Sequence, residues 1–384
     1  MTARRKKQSE PTLTSLHLPF DLVEEILCRI SVKHLIRLCC VCKSWNSLIF
    51  RDSKFAKKHL RKSTTSHDRH HLILTPTYPY FSPQFFLLHS PISSILNSTS
   101  TSIVKQFSYT IREILIERAY GNRASTCDGI VCFKIDNSSA VLCNPFIRKF
   151  KILPPLKYPS GEISYTLVHD RFINNYKIIA VNCTRSSKIE VNVHILGTNH
   201  WRRIRDFPDP NLILVSRLGT FVNDSLNWLV YAAAPFIVSL DLEKESYEKL
   251  ALPVSYQKLA LPVFPNISSF MILGTLKGCL SLIFDKREKS CDVWIMKEYG
   301  NEKSWTKLLT VPHMKECDFY CYIRALYISE DEDEKVLMEC TKMGINSLVV
   351  YDSINNTFMI PEFQNYISTK MTPEIYVESL ISPL

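Results

Sequence analysis

Glycine is scarce in this chain, at 9 of 384 residues, so loops that cradle phosphate through closely approaching backbone have little material to work with. No P-loop, dinucleotide fingerprint, HExxH helix or nucleophile elbow can be found, and the sequence therefore defines no catalytic residue. Also missing is any apolar run near the roughly 20 residues that a membrane-spanning helix needs. No charged start followed by an apolar stretch opens the chain, so it reads as neither secreted nor membrane-inserted. What is lacking in cysteine is order rather than number. The 13 cysteines are odd in count, and Cys28, Cys132, Cys143, Cys183 and Cys279 sit inside apolar runs rather than punctuating loops. That pattern excludes a disulfide framework and predicts a reducing compartment, cytoplasmic and/or nuclear. Asn137-Ser138-Ser139 and Asn266-Ile267-Ser268 are then chance matches to a glycosylation motif.

The formal charge of +10 is unevenly placed, with 14 Lys/Arg against 5 Asp/Glu in residues 1–65 and 33 against 32 beyond them. Much of the excess is the Arg4-Arg5-Lys6-Lys7 run, which reads as a disordered basic tail over residues 1–14. The even charge of the remainder makes nucleic-acid binding the weakest functional reading. With 46% hydrophobic residues, there is ample material for a large core.

From Leu18 the sequence runs LPFDLVEEILCRISVKHLIRLCCVCKSWNSLIF, and Leu22, Ile26, Leu27 and Ile30 recur at helical spacing. Asp21 and Glu24 suggest a capping box for that helix. A second helix is expected after Ser31, with Leu35 and Leu38 on one face, a third carrying Trp45, Leu48 and Ile49, and a short fourth after Asp52 or Ser53 with Phe55 and Leu60. Helices this short need partners for their apolar faces. Some forty residues do not easily build a self-sufficient core.

Leu18-Pro19, the Glu25-Ile26-Leu27 step, Val32-Lys33 and the run Cys40-Val41-Cys42-Lys43-Ser44-Trp45 resemble the F-box of plant proteins, over residues 15–61. The resemblance implies docking to a Skp-type adaptor, and through it to a cullin and a RING protein. The contact residues it implies are Leu18, Pro19, Leu22, Ile26, Leu27, Leu35 and Leu38, with Trp45 knitting the module together. Ile30-Ser31 departs from the Leu-Pro that is common there.

Residues 62–75, with Ser63-Thr64-Thr65-Ser66 and His67-Asp68-Arg69-His70-His71, read as an exposed linker. From 76 to 384 short Val, Ile, Leu, Phe and Tyr runs alternate with turn residues. An apolar strand, a turn, an aromatic and a closing proline recur, with Phe150, Trp201, Tyr247, Trp305 and Phe358 as anchors spaced 51, 46, 58 and 53 residues apart. KLALPVSYQ (249–257) followed by KLALPVFPN (258–266) is a tandem duplication, and removing one copy brings the 58 to 49. A period near 50 predicts an all-β kelch-like propeller of five or six blades, with IYVESLI (375–381) returning to close the ring.

Cys127-Asp128-Gly129, Asn144-Pro145 with Arg148-Lys149, Tyr176-Lys177, Gly219-Thr220-Phe221, Asp292-Val293-Trp294 and the Glu302 to Leu308 run resemble landmarks of the plant F-box-associated domain. The two resemblances together imply a non-catalytic substrate receptor of a ubiquitin ligase, without cofactor, that holds an unknown target protein. A propeller binding a small ligand, or an enzyme with decorative helices, is the alternative, marked by perturbed carboxylates or histidines at the ring mouth. His169 and Asp170 can be drawn as an acid–base pair, but a mobile surface turn explains them equally well, and Glu330 to Glu334 read as a hairpin tip. His313, Cys317 and Cys321 have metal-like spacing but fall between strands, so no metal is assigned.

Overall fold

The computed structural model describes residues 18–76, 84–97, 103–104, 107–115, 123–136, 138–157, 161–184, 188–209, 212–232, 234–257, 271–286, 290–313, 322–329, 334–342, 345–363 and 371–384. The basic run and the second copy of the duplication lie outside them.

Four helices open the chain: α1 (Phe20–Leu27), α2 (Val32–Leu38), α3 (Lys43–Arg51) and α4 (Ser53–Thr64). Asp21 is not the cap of α1. Pro19 takes the N-cap position, and Asp21 lies in the first turn, where its charge meets the positive end of the helix dipole. Ser31 does precede α2, but its hydroxyl pairs with His34 Nδ1 at 2.7 Å instead of with a helix amide. Asp52 caps α4 in full, accepting from the Lys54 and Phe55 N–H groups at 2.7 and 3.0 Å.

Residues 62–75 are no linker. α4 runs to Thr64, a 3-10 turn covers His67–Arg69, and His70–Pro76 is a strand of the propeller. Arg69 and His71 are buried. The polar letters are used up locally: the Arg69 guanidinium donates to Ser63 Oγ (3.1 Å) and to the Cys28 carbonyl (3.4 Å), tying α4 to the end of α1.

Beyond the helices stand six antiparallel sheets, the blades of a propeller. Blade 2 shows the common plan, with strands Ser125–Cys127, Ile130–Lys134, Ala140–Asn144 and Lys149–Ile152. Blades 3 to 6 follow over residues 161–203, 213–250, 271–312 and 322–359. Blade 1 is assembled from both ends of the propeller. The strand Met371–Val377 pairs with His70–Pro76 from His70↔Val377 to Pro76↔Met371, so the ring is closed by chain segments some 300 residues apart in sequence.

The core lies between blades. Strand residues alternate faces, and blade 1 shows the consequence: Ile73 and Leu87 pack toward Val131, Val141 and Cys143 of blade 2, while Leu72, Leu74 and Leu88 pack toward Leu337 and Val350 of blade 6. A lone blade would leave both of these faces in water, which is why the sheets close into a ring.

The repeat anchors sit on, or at the start of, the fourth strands of blades 2 to 6. Three of them stitch their blade to the one before. The Trp201 and Trp305 indole N–H groups donate to the carbonyls of Pro154 (2.8 Å) and Ala251 (3.0 Å), and the Tyr247 hydroxyl donates to the Arg205 carbonyl (3.0 Å). First-to-second strand turns in blades 2, 4 and 5 use Asp128-Gly129, Asn223-Asp224 and Lys277-Gly278, all with positive φ, as two-residue hairpins with the sheet's right-handed twist require.

Candidate docking surface on the helical module

The helical module stands on one end of the propeller, against the first-to-second strand turns of blades 2 and 3. Its core and that of the blade 2–blade 3 interface are continuous: Leu27, Val32, Leu35, Leu48, Ile49 and Phe55 belong to one buried cluster with Ile130, Leu142, Tyr165 and Ile178. Leu380 and Ile381 of the C-terminal segment fill the same cluster.

That segment also carries the polar fastening. The Glu378 carboxylate accepts the Val32 N–H at 2.7 Å, one of the amides that the first turn of α2 leaves without an intrahelical partner. Burial by itself would raise the Glu378 carboxyl, yet His71, the Val32 N–H and Arg69 bring it below the usual carboxylate range. Asn144 donates to the carbonyls of Ser379 (3.0 Å) and Ile381 (2.9 Å), and the Ser379 hydroxyl donates to the Asp128 carbonyl (2.6 Å). Gly129 belongs to this contact, because a Cβ there would lie 2.5 Å from Ser379 Oγ. The Tyr176 hydroxyl completes it with a 2.9 Å bond to Asp128 Oδ2. Several sequence landmarks of the propeller thus hold the C-terminal segment, whose Glu378 in turn binds α2.

The seven predicted contact residues divide sharply. Leu18, Leu22 and Ile26 are 51%, 50% and 52% exposed, and Pro19 is exposed beside them. Their spacing of four puts Leu22 and Ile26 on one side of α1, with Leu18 just ahead of it. Leu27 and Leu35 are 1% and 0% exposed and face the propeller. They cannot touch a docked partner in this conformation, so they are core residues rather than contact residues. Leu38 is half-buried against the same cluster. Trp45 is likewise packed on the core, as a residue that knits the module together.

Phe20 (48%) and Val41 (62%) are exposed as well and were not singled out by sequence spacing. Phe20 directly follows the Leu-Pro pair, and Val41 sits between cysteines outside any helix, so helical periodicity offered no signal for either. The same module is electropositive, with nine Lys/Arg against four Asp/Glu in residues 15–61. Lys58 bridges Glu24 and Glu25 and so joins α4 to α1. Cys42 stands exposed at the start of α3, its thiol lowered by the Ser44 hydroxyl and the Trp45 N–H.

Two cavities lie along the ring among the described residues. A cavity of about 430 Å³ under the helical module is lined by His70, Asp128, Lys277, Tyr327 and Thr64 among others. A second, of about 310 Å³, contains Arg123, Arg324 and Glu374. Arg324 donates to both Glu374 oxygens (2.9 and 3.1 Å) and to Glu339 (3.0 Å), and Arg123 donates to the same Glu339 oxygen (3.0 Å). Burial raises the Glu374 carboxyl, but the four charges neutralise one another across blades 1, 2 and 6. That is a brace for the ring. His169 and Asp170 end the first strand of blade 3 and Asp170 is buried, so they are neither a mobile surface turn nor an acid–base pair. Asp170 accepts from the Phe172 and Ile173 amides (2.8 and 3.2 Å) and organises a turn, while His169 rests edge-on to Tyr176. Cys317, Cys321 and residues 330–333 lie outside the described residues.

Comparison with known proteins agrees with this layout. The family profile described as "F-box associated beta propeller domain" matches residues 85–383, and that described as "F-box domain" matches residues 15–57. An F-box/kelch-repeat protein of Arabidopsis thaliana is 30% identical over 381 residues, covering 96% of each chain. F-box protein CPR1 of the same plant is 24% identical, covering 95% of this chain and 88% of its own. Among solved structures, a chain of the nidogen/laminin complex aligns with a TM-score of 0.45 at 12% identity over 80% of this chain and 98% of its own. TolB from Acinetobacter baumannii aligns at 0.45 and 10%, over 84% and 72%. Both are too distant to bear on function. An F-box on the end of a six-bladed propeller, matched along nearly its whole length, makes this chain a member of the F-box proteins that carry an F-box-associated β-propeller domain.

Proposed function

We propose that this protein is the target-recognition subunit of a Skp-cullin-F-box ubiquitin ligase, with α1 docking to a Skp-type adaptor and through it to a cullin and a RING protein. The observation that carries the reading is the division of the apolar side chains of the module. Leu27, Leu35 and Phe55 are fully withdrawn into the propeller contact, while Leu18, Leu22 and Ile26 stay half in solvent on a module that already has a core. Exposed apolar groups grouped on one helix mark an interaction site. Pro19 and Phe20 extend the surface, and the net positive charge of the module suits an adaptor with acidic residues around an apolar groove.

The propeller binds the target. The F-box covers the first-to-second strand turns of blades 2 and 3, and the opposite end of the ring, where second strands pass to third, is the end assigned to the target protein. No residue performs chemistry in this scheme. The subunit holds a lysine of the target near the charged conjugating enzyme, and the gain is one of proximity. The buried Glu378 and Asn144 contacts support it, since a receptor that positions its cargo benefits from a fixed angle between its two parts. On the same grounds as the cysteine pattern, the cytoplasm and nucleus are its proposed locations.

Co-purification tests the proposal. The full chain retains a Skp-type adaptor, and the Leu18→Ala/Pro19→Ala chain does not. Full retention by that variant, with the propeller folded, refutes α1 as the docking element.

A further inference from the structure

Blade 5 brings three residues of different metal-binding chemistry together. Asp285 ends its second strand, Cys291 lies near the start of its third, and His313 follows its fourth. Register explains why they meet. Asp285 and Cys291 are directly opposite across an antiparallel pair, and Cys291 is in turn opposite Val311, so these three residues share a face of the sheet. His313 is two residues beyond Val311 and falls on that face too. One ligand atom from each of Asp285, Cys291 and His313 lies within 4.8 Å of the other two. His313 Nε2 and Asp285 Oδ1 are 3.2 Å apart.

We propose that Asp285, Cys291 and His313 bind a divalent transition-metal ion, with zinc the best match. Carboxylate oxygen, thiolate sulfur and imidazole nitrogen are the donors zinc takes at about 2.0 to 2.3 Å, and three protein ligands with water in the fourth position make a familiar tetrahedral set. Oxygen-preferring magnesium and calcium are disfavoured by the sulfur. The charge also balances. One carboxylate and one thiolate neutralise a dication, which matters because Asp285 and Cys291 are 7% and 1% exposed and an unbalanced ion there is costly. Lys286, the adjacent cation, is directed to Asp292 at 2.7 Å. Cys291 belongs to the apolar cluster that joins blade 5 to blade 6, so the ion ties the exit of blade 5 to its two middle strands just where the chain leaves for the next blade.

The test uses the full chain, stripped with chelator and titrated with Co²⁺. The expected result is one equivalent bound with a thiolate-to-cobalt charge-transfer band in the near ultraviolet, displaced by Zn²⁺. Cys291→Ser removes the band. His313→Gln, at the accessible edge of the site, weakens uptake by more than about 100-fold, since even outer-shell partners of such ligands are worth 10- to 100-fold. Among the described residues Cys40 and Cys42 are the exposed thiols, with Cys39 half-buried beside them, and replacement of these three by serine leaves the band in place. No stoichiometric uptake, a band that survives Cys291→Ser, or a band lost with the triple variant overturns the proposal. If circular dichroism shows Cys291→Ser unfolded, His313→Gln decides, and an affinity within about threefold of the parent refutes the site.

Discussion

Replacing Leu18, Leu22 and Ile26 together by alanine removes apolar surface that the chain leaves about half in solvent. Full burial of such a side chain is worth roughly 1.5 to 3 kcal/mol. Docking covers only the exposed half, so each contributes about 0.8 to 1.5 kcal/mol, and the three together about 2 to 4.5 kcal/mol. That is a loss of adaptor affinity of roughly 30- to 2,000-fold. Stability should change little, because no core contact is lost. The opposite pattern is expected for Leu27→Ala or Leu35→Ala, each fully withdrawn into the cluster shared with the propeller. Large-to-small replacement at such sites costs about 2 to 5 kcal/mol of stability, and adaptor affinity of the fraction that stays folded is retained. Calorimetric titration of a Skp-type adaptor into each full-length variant, beside denaturant melts of the same samples, separates the two classes. If the triple variant binds within about threefold of the parent, or if Leu27→Ala loses affinity without losing stability, the division of the surface given above is wrong.

Other perturbations address the propeller and its joint with the F-box. Glu378→Gln weakens the capping of α2. The carboxyl is held below its ordinary value in the folded chain, so its contribution is complete above the unfolded value near pH 4.3 and disappears as pH falls through the folded value. Melts of the variant and parent should therefore differ at pH 7 and converge in acid, and a difference that persists there contradicts the assignment. Gly129→Ala, at φ +77° with Ser379 Oγ and the Val377 carbonyl 2.5 and 2.6 Å from the new Cβ, should cost about 1 to 3 kcal/mol in a denaturant melt. Gly278→Ala, where nothing lies within 4 Å, isolates the backbone part of that cost. Trp305→Phe keeps a benzene ring but loses the pyrrole part of the buried indole and its bond to Ala251, and should lower stability by about 1 kcal/mol or more. An unchanged melt would show that the stitch between blades 4 and 5 is dispensable.

Local signals were legible in the letters. Leu22, Ile26 and Leu27 announced a helix because helical period is written in nearest neighbours, though α1 ends before Ile30, and Asp52 announced the fourth helix by its capping chemistry. Asp128-Gly129 and Lys277-Gly278, not singled out as turns in the sequence, take the positive φ of tight hairpin turns. The aromatic anchors gave the period, since each sits on or beside the fourth strand of its own blade. The two resemblances rested on other letters, Leu18-Pro19 and the Cys40 to Trp45 run for the F-box, and Cys127-Asp128-Gly129 and Asp292-Val293-Trp294 among others for the propeller.

What the letters did not carry is which side of a helix meets which neighbour. Ile26 and Leu27 are adjacent and both apolar, yet one is half in water and the other is 1% exposed, because only the propeller decides which face it covers. Polar letters misread residues 62–75 as a linker, when Arg69 and His71 are buried by partners at positions 28, 63 and 378. The seating of the F-box on Glu378, Ser379 and Ile381, the braces among Arg324, Glu339 and Glu374, and the meeting of Asp285, Cys291 and His313 all join residues from separate strands or opposite ends of the chain. Sequence by itself determined the elements, their repeat and the family. The closed ring decided the contacts, because pairing of distant segments is fixed by packing that no local pattern records.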